Sequence, residues 1–396
     1  PDTVTVIENS AFNGCVNLLK IMIPDSVTRI ENWAFYNCNN LSTVTLSNNL
    51  NYMGEYAFGN CKKITKIEVP KSLDSSGGPF KNCDGLKMVT FEKGTTEISS
   101  SLFEDCTGLE EIDIPDTVTV IENSAFNGCV NLSQITIPDT VTIIDKFAFY
   151  DCEKLVSVNI PDSVTKIYDY AFDDCSNLSN MTLSKNLEYM GERAFGNCTK
   201  ITKIEIPKSL DSSGGPFENC ISLKKVTFEK GTTKISRSLF AGCNGLEEIY
   251  IPDTITVIGN NAFSSCTKLE QINFSNKLTK IESYGFYGCT SLKKITLPDS
   301  INSIENNIFQ NCTSLIEVHL SNILKEIPVS SFEGCKKLTT INFPSTLTTI
   351  EDSAFSGCES LPEAILPSGV EKIESNAFEN CKSLKKAVVP DTVSSI

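Results

Sequence analysis

A phenylalanine followed three residues later by a cysteine, as in Phe126-Asn127-Gly128-Cys129, occurs seventeen times and accounts for every cysteine in the chain. The cysteines run from Cys15 to Cys381 in steps of 23 residues, except Cys61 to Cys83 and Cys198 to Cys220, which are 22 apart. Self-similarity at a fixed period of roughly 20–50 residues marks a solenoid, in which each unit covers the apolar face of the next. Such a core grows along one axis. The 396 residues therefore read as one domain of about seventeen coils, residues 1–396, rather than the several globular domains that length alone suggests.

Pro115 to Ile137, PDTVTVIENSAFNGCVNLSQITI, serves as the type coil. Its last residues, Leu132-Ser-Gln-Ile135-Thr-Ile137, alternate apolar and polar side chains, the period of a short half-buried strand. Pro138 removes a backbone donor and ends that strand, and Asp139-Thr140 turn the chain. Val141 and Ile144 form a second apolar pair, too short for a helix and read as a second brief strand. Ala148-Phe149 and Cys152 follow on an irregular or helical turn that leads back to Leu155. Stacking such coils predicts internal columns of Phe, Leu, Ile and Val with strands ~4.8 Å apart. The fold expected is a mainly β repeat solenoid with short helical turns.

Whole blocks were copied as well as single coils. Pro1 to Leu18 recur unchanged at Pro115 to Leu132, and Pro70 to Phe80 recur at Pro207 to Phe217. No linker, charge run or composition shift separates the copies. Both ends fall within a coil and no initiator Met is present, so the chain reads as a fragment truncated at both ends, silent about signal and anchor.

The unit L-x-x-I-x-I-P-D-S-V-T-x-I-x-x-x-A-F-x-x-C resembles the BspA-like leucine-rich repeat, and Leu155 to Ile167 with Ala171, Phe172 and Cys175 matches it throughout. Thr140 or Ser163 stands where a general leucine-rich repeat would carry an Asn ladder. The resemblance implies a right-handed leucine-rich-repeat superhelix with a parallel sheet on its concave face. It also implies a cell-surface or secreted protein, in some members an adhesin for host proteins or other cells.

A net charge of −15 argues against nucleic acid, whose binders carry a basic face, and against anionic membrane surfaces. No apolar run approaches the ~20 residues that span a bilayer, so no membrane insertion is expected within this chain. Seventeen thiols cannot all pair within one chain, and stacked Cβ vectors point the same way, which suits bridging poorly. Metal sites usually bring cysteines in short C-x2–4-C pairs, and none occurs here. The thiols read as buried small hydrophobes, a reading that fits a reducing or anaerobic setting. Asp2, Asp25, Asp116, Asp139, Asp162, Asp253, Asp299 and Asp391 share one turn position. Ser47, Lys71 and Lys93 interrupt the row, and solvated turn residues are the preferred reading over a cation row. No phosphate loop, dinucleotide motif, nucleophile elbow or zinc-protease motif appears. Neither an enzyme, a cofactor nor a metal is expected.

The outward strand positions remain as the candidate ligand face: Thr136, Asn159, Thr182, Glu205, Thr227, Tyr250, Asn273, Thr296 and His319. Most are polar, which suits a hydrated sheet. Tyr250 breaks the pattern as a contact anchor, and His319, the only histidine, is expected to point outward. Ile365 and Val388 also break it. The DSSGGP segments, Asp74 to Pro79 and Asp211 to Pro216, each drop one residue and lose the second strand's Ile. A copied kink is preferred there over a repeated recognition loop. The function expected is a non-catalytic, surface-exposed solenoid binding a protein or glycan on host or neighbouring cells; the alternative is a spacer presenting another domain. The oligomeric state is left open.

Overall fold

The structure, a computed structural model, describes residues 3–71, 73–75 and 77–395. Asp2 of the aspartate row and Ser76 of the first DSSGGP segment lie outside the described residues. The chain is a parallel-strand β-solenoid of about seventeen turns that divides into two compact units, Pro1–Ile201 and Thr202–Ile396.

In the first unit one ladder is built from three- and four-residue strands such as Glu111–Asp113, Gln134–Thr136, Ser157–Asn159 and Asn180–Thr182. All pairs are parallel and step by one coil, as in Glu111↔Gln134, Ile112↔Ile135 and Asp113↔Thr136. A second ladder uses the two-residue strands Glu97–Ile98, Val120–Ile121, Ile143–Ile144, Lys166–Ile167 and Tyr189–Met190. The 22-residue coil keeps register on both ladders, with Ile67 opposite Val89 and Met53 opposite Ser75.

The second unit repeats both ladders. Glu248–Tyr250 pairs with Gln271–Asn273, and Lys294–Thr296 with Glu317–His319. Lys234–Ile235, Val257–Ile258, Lys280–Ile281 and Ser303–Ile304 form part of its second ladder.

Of the irregular or helical turn expected for the return segment, the structure shows the irregular form: the described residues contain no helix. The residue two before each motif Phe and the residue just before each motif Cys both take left-handed backbone angles, as at Ser124 (φ 56) and Gly128 (φ 72). Two such reversals per coil break any run of right-handed turns. The N–H groups then reach the neighbouring coil instead of their own: Ser124 N donates to Lys146 O, Phe126 N to Ala148 O and Gly128 N to Tyr150 O, at 2.8–2.9 Å. The coil is hydrogen-bonded to its neighbour on the return side as well as on both strand sides.

Within each unit the motif phenylalanines stack. Centroids lie 4.8 Å apart between Phe35 and Phe58 and 5.2 Å between Phe263 and Phe286. Each of Phe35 through Phe355 in this series is buried. Spacing widens to 6.1 Å after the first DSSGGP coil and 6.4 Å after the second. There Phe91 and Phe228 insert edge-on against Phe103 and Phe240. In these coils Ser75 and Ser212 occupy the missing Ile position, buried, and donate to Ser100 O and Arg237 O. Gly77-Gly78 and Gly214-Gly215 take consecutive left-handed angles (φ 57, 66 and 53, 63). One glycine supplies the left-handed residue every coil needs; the other closes the shortened loop. A Cβ on Gly77 would lie 2.5 Å from Glu55 Cγ, so only glycine fits.

Candidate functional site

Strand alternation decides what solvent meets. Inward residues such as Ile112, Val158, Ile249 and Ile295 are buried. The outward residues Thr136, Asn159 and Thr182 in the first unit, and Glu205, Thr227, Tyr250, Asn273 and Thr296 in the second, are exposed; His319 is half-buried. Asn159 sits opposite Thr182 and accepts a hydrogen bond from its hydroxyl. Glu205 faces Thr227, Tyr250 faces Asn273 and Thr296 faces His319.

Around this face the charges pair from coil to coil. Lys224 Nζ lies 3.4 Å from Glu247, Lys293 Nζ 2.7 Å from Glu270, and Lys294 Nζ 3.0 Å from Glu317. Glu317 Oε1 also lies 2.5 Å from His319 Nε2. The Lys294 ammonium, with the His319 ring beside it, holds the Glu317 carboxyl below the usual carboxylate range. The outward histidine expected from the sequence is thus tied back to its own strand.

Tyr250, 67% exposed, stands in an open depression of about 590 Å³ with Lys224, Lys225, Thr227, Phe228, Glu248 and Pro252. A second depression of about 500 Å³ holds Asn273, Phe274, Lys294 and Thr296, and shares Asn273 with the first. In the first unit Asn159 and Thr182 line another with Asp139, Asp162 and Lys185. Sequence reading missed Lys224, Phe228 and Pro252, although each lies in or beside a strand whose outward residue it did identify.

The other constellations resolve into structural roles. Asp25, Asp162 and Asp299 accept the backbone N–H of Asn48, Lys185 and Asn322, one coil on, at 2.9–3.0 Å. They tie turns together. Most thiols from Cys38 onward follow one pattern, as Cys129 Sγ donating to Phe103 O at 3.2 Å and Cys266 Sγ to Phe240 O at 3.0 Å show. Burial pushes the Cys83 and Cys266 thiols up to about 12, leaving them protonated and unreactive. Thr140, at the expected ladder position, donates to Val118 O at 2.7 Å, and Ser300 to Leu278 O at 2.6 Å. A partial hydroxyl ladder, broken where Ser163 Oγ has no partner and where Lys277 and Ile323 hold the same position, stands in place of the Asn ladder. No group of three or more His, Cys, Asp or Glu side chains able to hold a metal ion occurs among the described residues, and no described helix is long and apolar enough to cross a membrane.

Parallel short strands, a repeated apolar Leu-x-x-Ile-x-Ile segment and turn-built returns define the class as a leucine-rich-repeat solenoid. The chain belongs to the family described as BspA type Leucine rich repeat region, which it matches over residues 1–110, 96–215, 213–316 and 279–396. It is similar to the crystal structure of a leucine-rich repeat protein from Bacteroides ovatus, at 31% identity and a TM-score of 0.70, over 88% of this chain and 87% of that one. It also matches a leucine-rich repeat protein from Eubacterium ventriosum (26% identity, TM-score 0.48, 72% of this chain and 86% of that one). A leucine rich cell surface protein from Faecalibacterium prausnitzii matches at 24% identity and a TM-score of 0.39, over 86% of this chain and 83% of that one. No curated protein matches the chain.

Proposed function

We propose that this solenoid is a non-catalytic binding module displayed at the cell surface or secreted, which recognises a protein or glycan on host or neighbouring cells through its exposed strand face. The observation that carries the reading is Tyr250, a large aromatic held outward on a polar sheet inside an open depression. Exposed aromatics of this kind are the usual anchors of recognition surfaces. The mixed signs of the paired Lys224, Glu247, Glu270 and Lys293 favour a partner of mixed charge over a uniformly anionic polymer. Thiols such as Cys129 and Cys266 and the turn carboxylates Asp25, Asp162 and Asp299 bond the backbone of a neighbouring coil, structural tasks that support a non-catalytic reading.

The test is binding of the chain to immobilised matrix proteins, glycans and whole bacterial cells. Saturable binding weakened at least roughly tenfold by Tyr250→Ala is expected, the loss typical of an anchor residue. Silence across all three ligand sets, or binding indifferent to Tyr250 and to the order of the coils, would instead favour a spacer that presents another domain.

A further inference from the structure

The left-handed residue two before the motif Phe is small or polar in most coils: Ser10, Ser101 and Ser124 close this turn with φ 57, 56 and 56. In the coil of Cys38 it is Trp33 (φ 55), and in the next Tyr56 (φ 51). Bulky residues rarely adopt this conformation, and the serine coils show that the turn closes without them. Trp33, the only tryptophan, is 40% exposed there. Tyr36, whose N–H donates to Trp33 O at 3.1 Å, packs edge-on against Tyr56 with centroids 5.8 Å apart. Asn60 Nδ2 donates to the Tyr36 hydroxyl at 3.1 Å and to Asn37 Oδ1 at 3.0 Å. The phenol oxygen is thereby an acceptor, with its own proton left to donate outward.

From this geometry we infer that the return side of the coil carries a second site, a stacking platform for a neutral glycan made by Trp33, Tyr36 and Tyr56 with the Asn37 and Asn60 amides. Flat aromatic faces beside fixed amides and a phenol suit a pyranose ring, which presents a C–H face and hydroxyl edges together. Neutrality follows from the charges nearby. Lys81, over the Tyr56 ring, is held by Glu104 at 2.9 Å and Asp105 at 3.3 Å, and Arg29 by Glu31 at 3.0 Å. Both of these cations are thereby neutralised, which disfavours an acidic sugar. The same two coil positions are aromatic again at Phe147 and Tyr150, and at Tyr284 and Tyr287, where Asn311 Nδ2 reaches the Tyr287 hydroxyl at 3.4 Å.

The lone tryptophan is its own reporter. Titration of the chain with neutral gluco-, manno- and chito-oligosaccharides is expected to change Trp33 emission saturably. Tyr36→Phe, which keeps the ring and removes the hydroxyl, is expected to weaken that response severalfold. Trp33→Ser, which installs the residue that closes the turn elsewhere, is expected to keep the circular dichroism and urea midpoint while calorimetric affinity falls at least roughly tenfold. Tyr250→Ala, on the strand side of the coil, is expected to leave this response unchanged, which separates the two sites. No saturable response to any neutral sugar, a preference for acidic ones, or unchanged affinity in folded Trp33→Ser would overturn the inference.

Discussion

At the scale of single residues, the motif is set by backbone angle as much as by burial. The residue before each motif Cys is Gly, Asn, Asp or Ser, and every one takes a positive φ, from Gly14 to Asn380. Gly128→Ala places a Cβ in the left-handed region (φ 72) and 2.1 Å from Asp105 Oδ1, so it is expected to cost about 1–2 kcal/mol in urea unfolding. The thiols make a second prediction. Burial raises Cys83 and Cys266 to about 12 and Cys381 to about 11, from an ordinary value of 9.0. A group raised on folding stabilises fully below its unfolded pKa and loses that contribution as pH climbs through its folded pKa. Between pH 9 and 12 the unfolded chain releases protons that the fold retains. Stability is therefore expected to fall by up to about 1.4 kcal/mol per pH unit for each such thiol. Urea midpoints at pH 7, 9 and 10 check the sign: flat below 9, falling steeply above it. Exposed Cys15 is expected to be alkylated first, and the buried thiols only on unfolding.

At the scale of the element, much of this fold was written in the sequence, because burial on a strand obeys a period of two. Ile135 and Ile137 against Gln134 and Thr136 fix which face is wet, and the constant step fixes which residues pair. The return segment was harder to read. Ala148-Phe149-Tyr150 carries no mark that separates a helical turn from turns with left-handed reversals, since the deciding hydrogen bonds run to another coil. The outward direction of Trp33 was hidden for the same reason. The exposure of Thr136 through Thr296 was legible; the tie of His319 to Glu317 was not, because alternation assigns a face and not a neighbour.

The hydroxyl ladder shows how small such differences are. Thr140 Oγ1 bonds Val118 O, whereas Ser163 Oγ, one coil on in an otherwise matching Pro-Asp-x-Val-Thr turn, is buried without a partner. A β-branched side chain holds its hydroxyl in fewer rotamers. Ser163→Thr is therefore expected to gain, and Thr140→Val to lose, about 1 kcal/mol each by urea unfolding, the net worth of one hydrogen bond.

At the scale of the molecule, a stack in which each coil touches only its neighbours should respond to the phase of a change more than to its size. Removing residues 115–137 deletes one 23-residue period and joins Ile114 to Pro138, the same Ile-Pro step that Ile137 makes with Pro138. Every Phe, Cys and strand position in the first unit keeps its partner type, with Glu111–Asp113 brought against Ser157–Asn159 in place of Gln134–Thr136. The shortened chain is expected to unfold cooperatively in urea, with a slightly smaller denaturant slope because less surface is exposed on unfolding. Its remaining buried thiols stay protected from alkylation. Removing only residues 127–137 is the smaller cut and the more damaging one. It follows Phe126 directly with Pro138, deletes the left-handed Gly128 and Cys129, and puts strand residues where the return turn must form. Thiols on both sides of that junction are then expected to react without denaturant. If the shorter deletion proved as protected as the longer one, coil phase would not be what holds the stack together, and the columns of like residues would be a consequence of the fold rather than its cause.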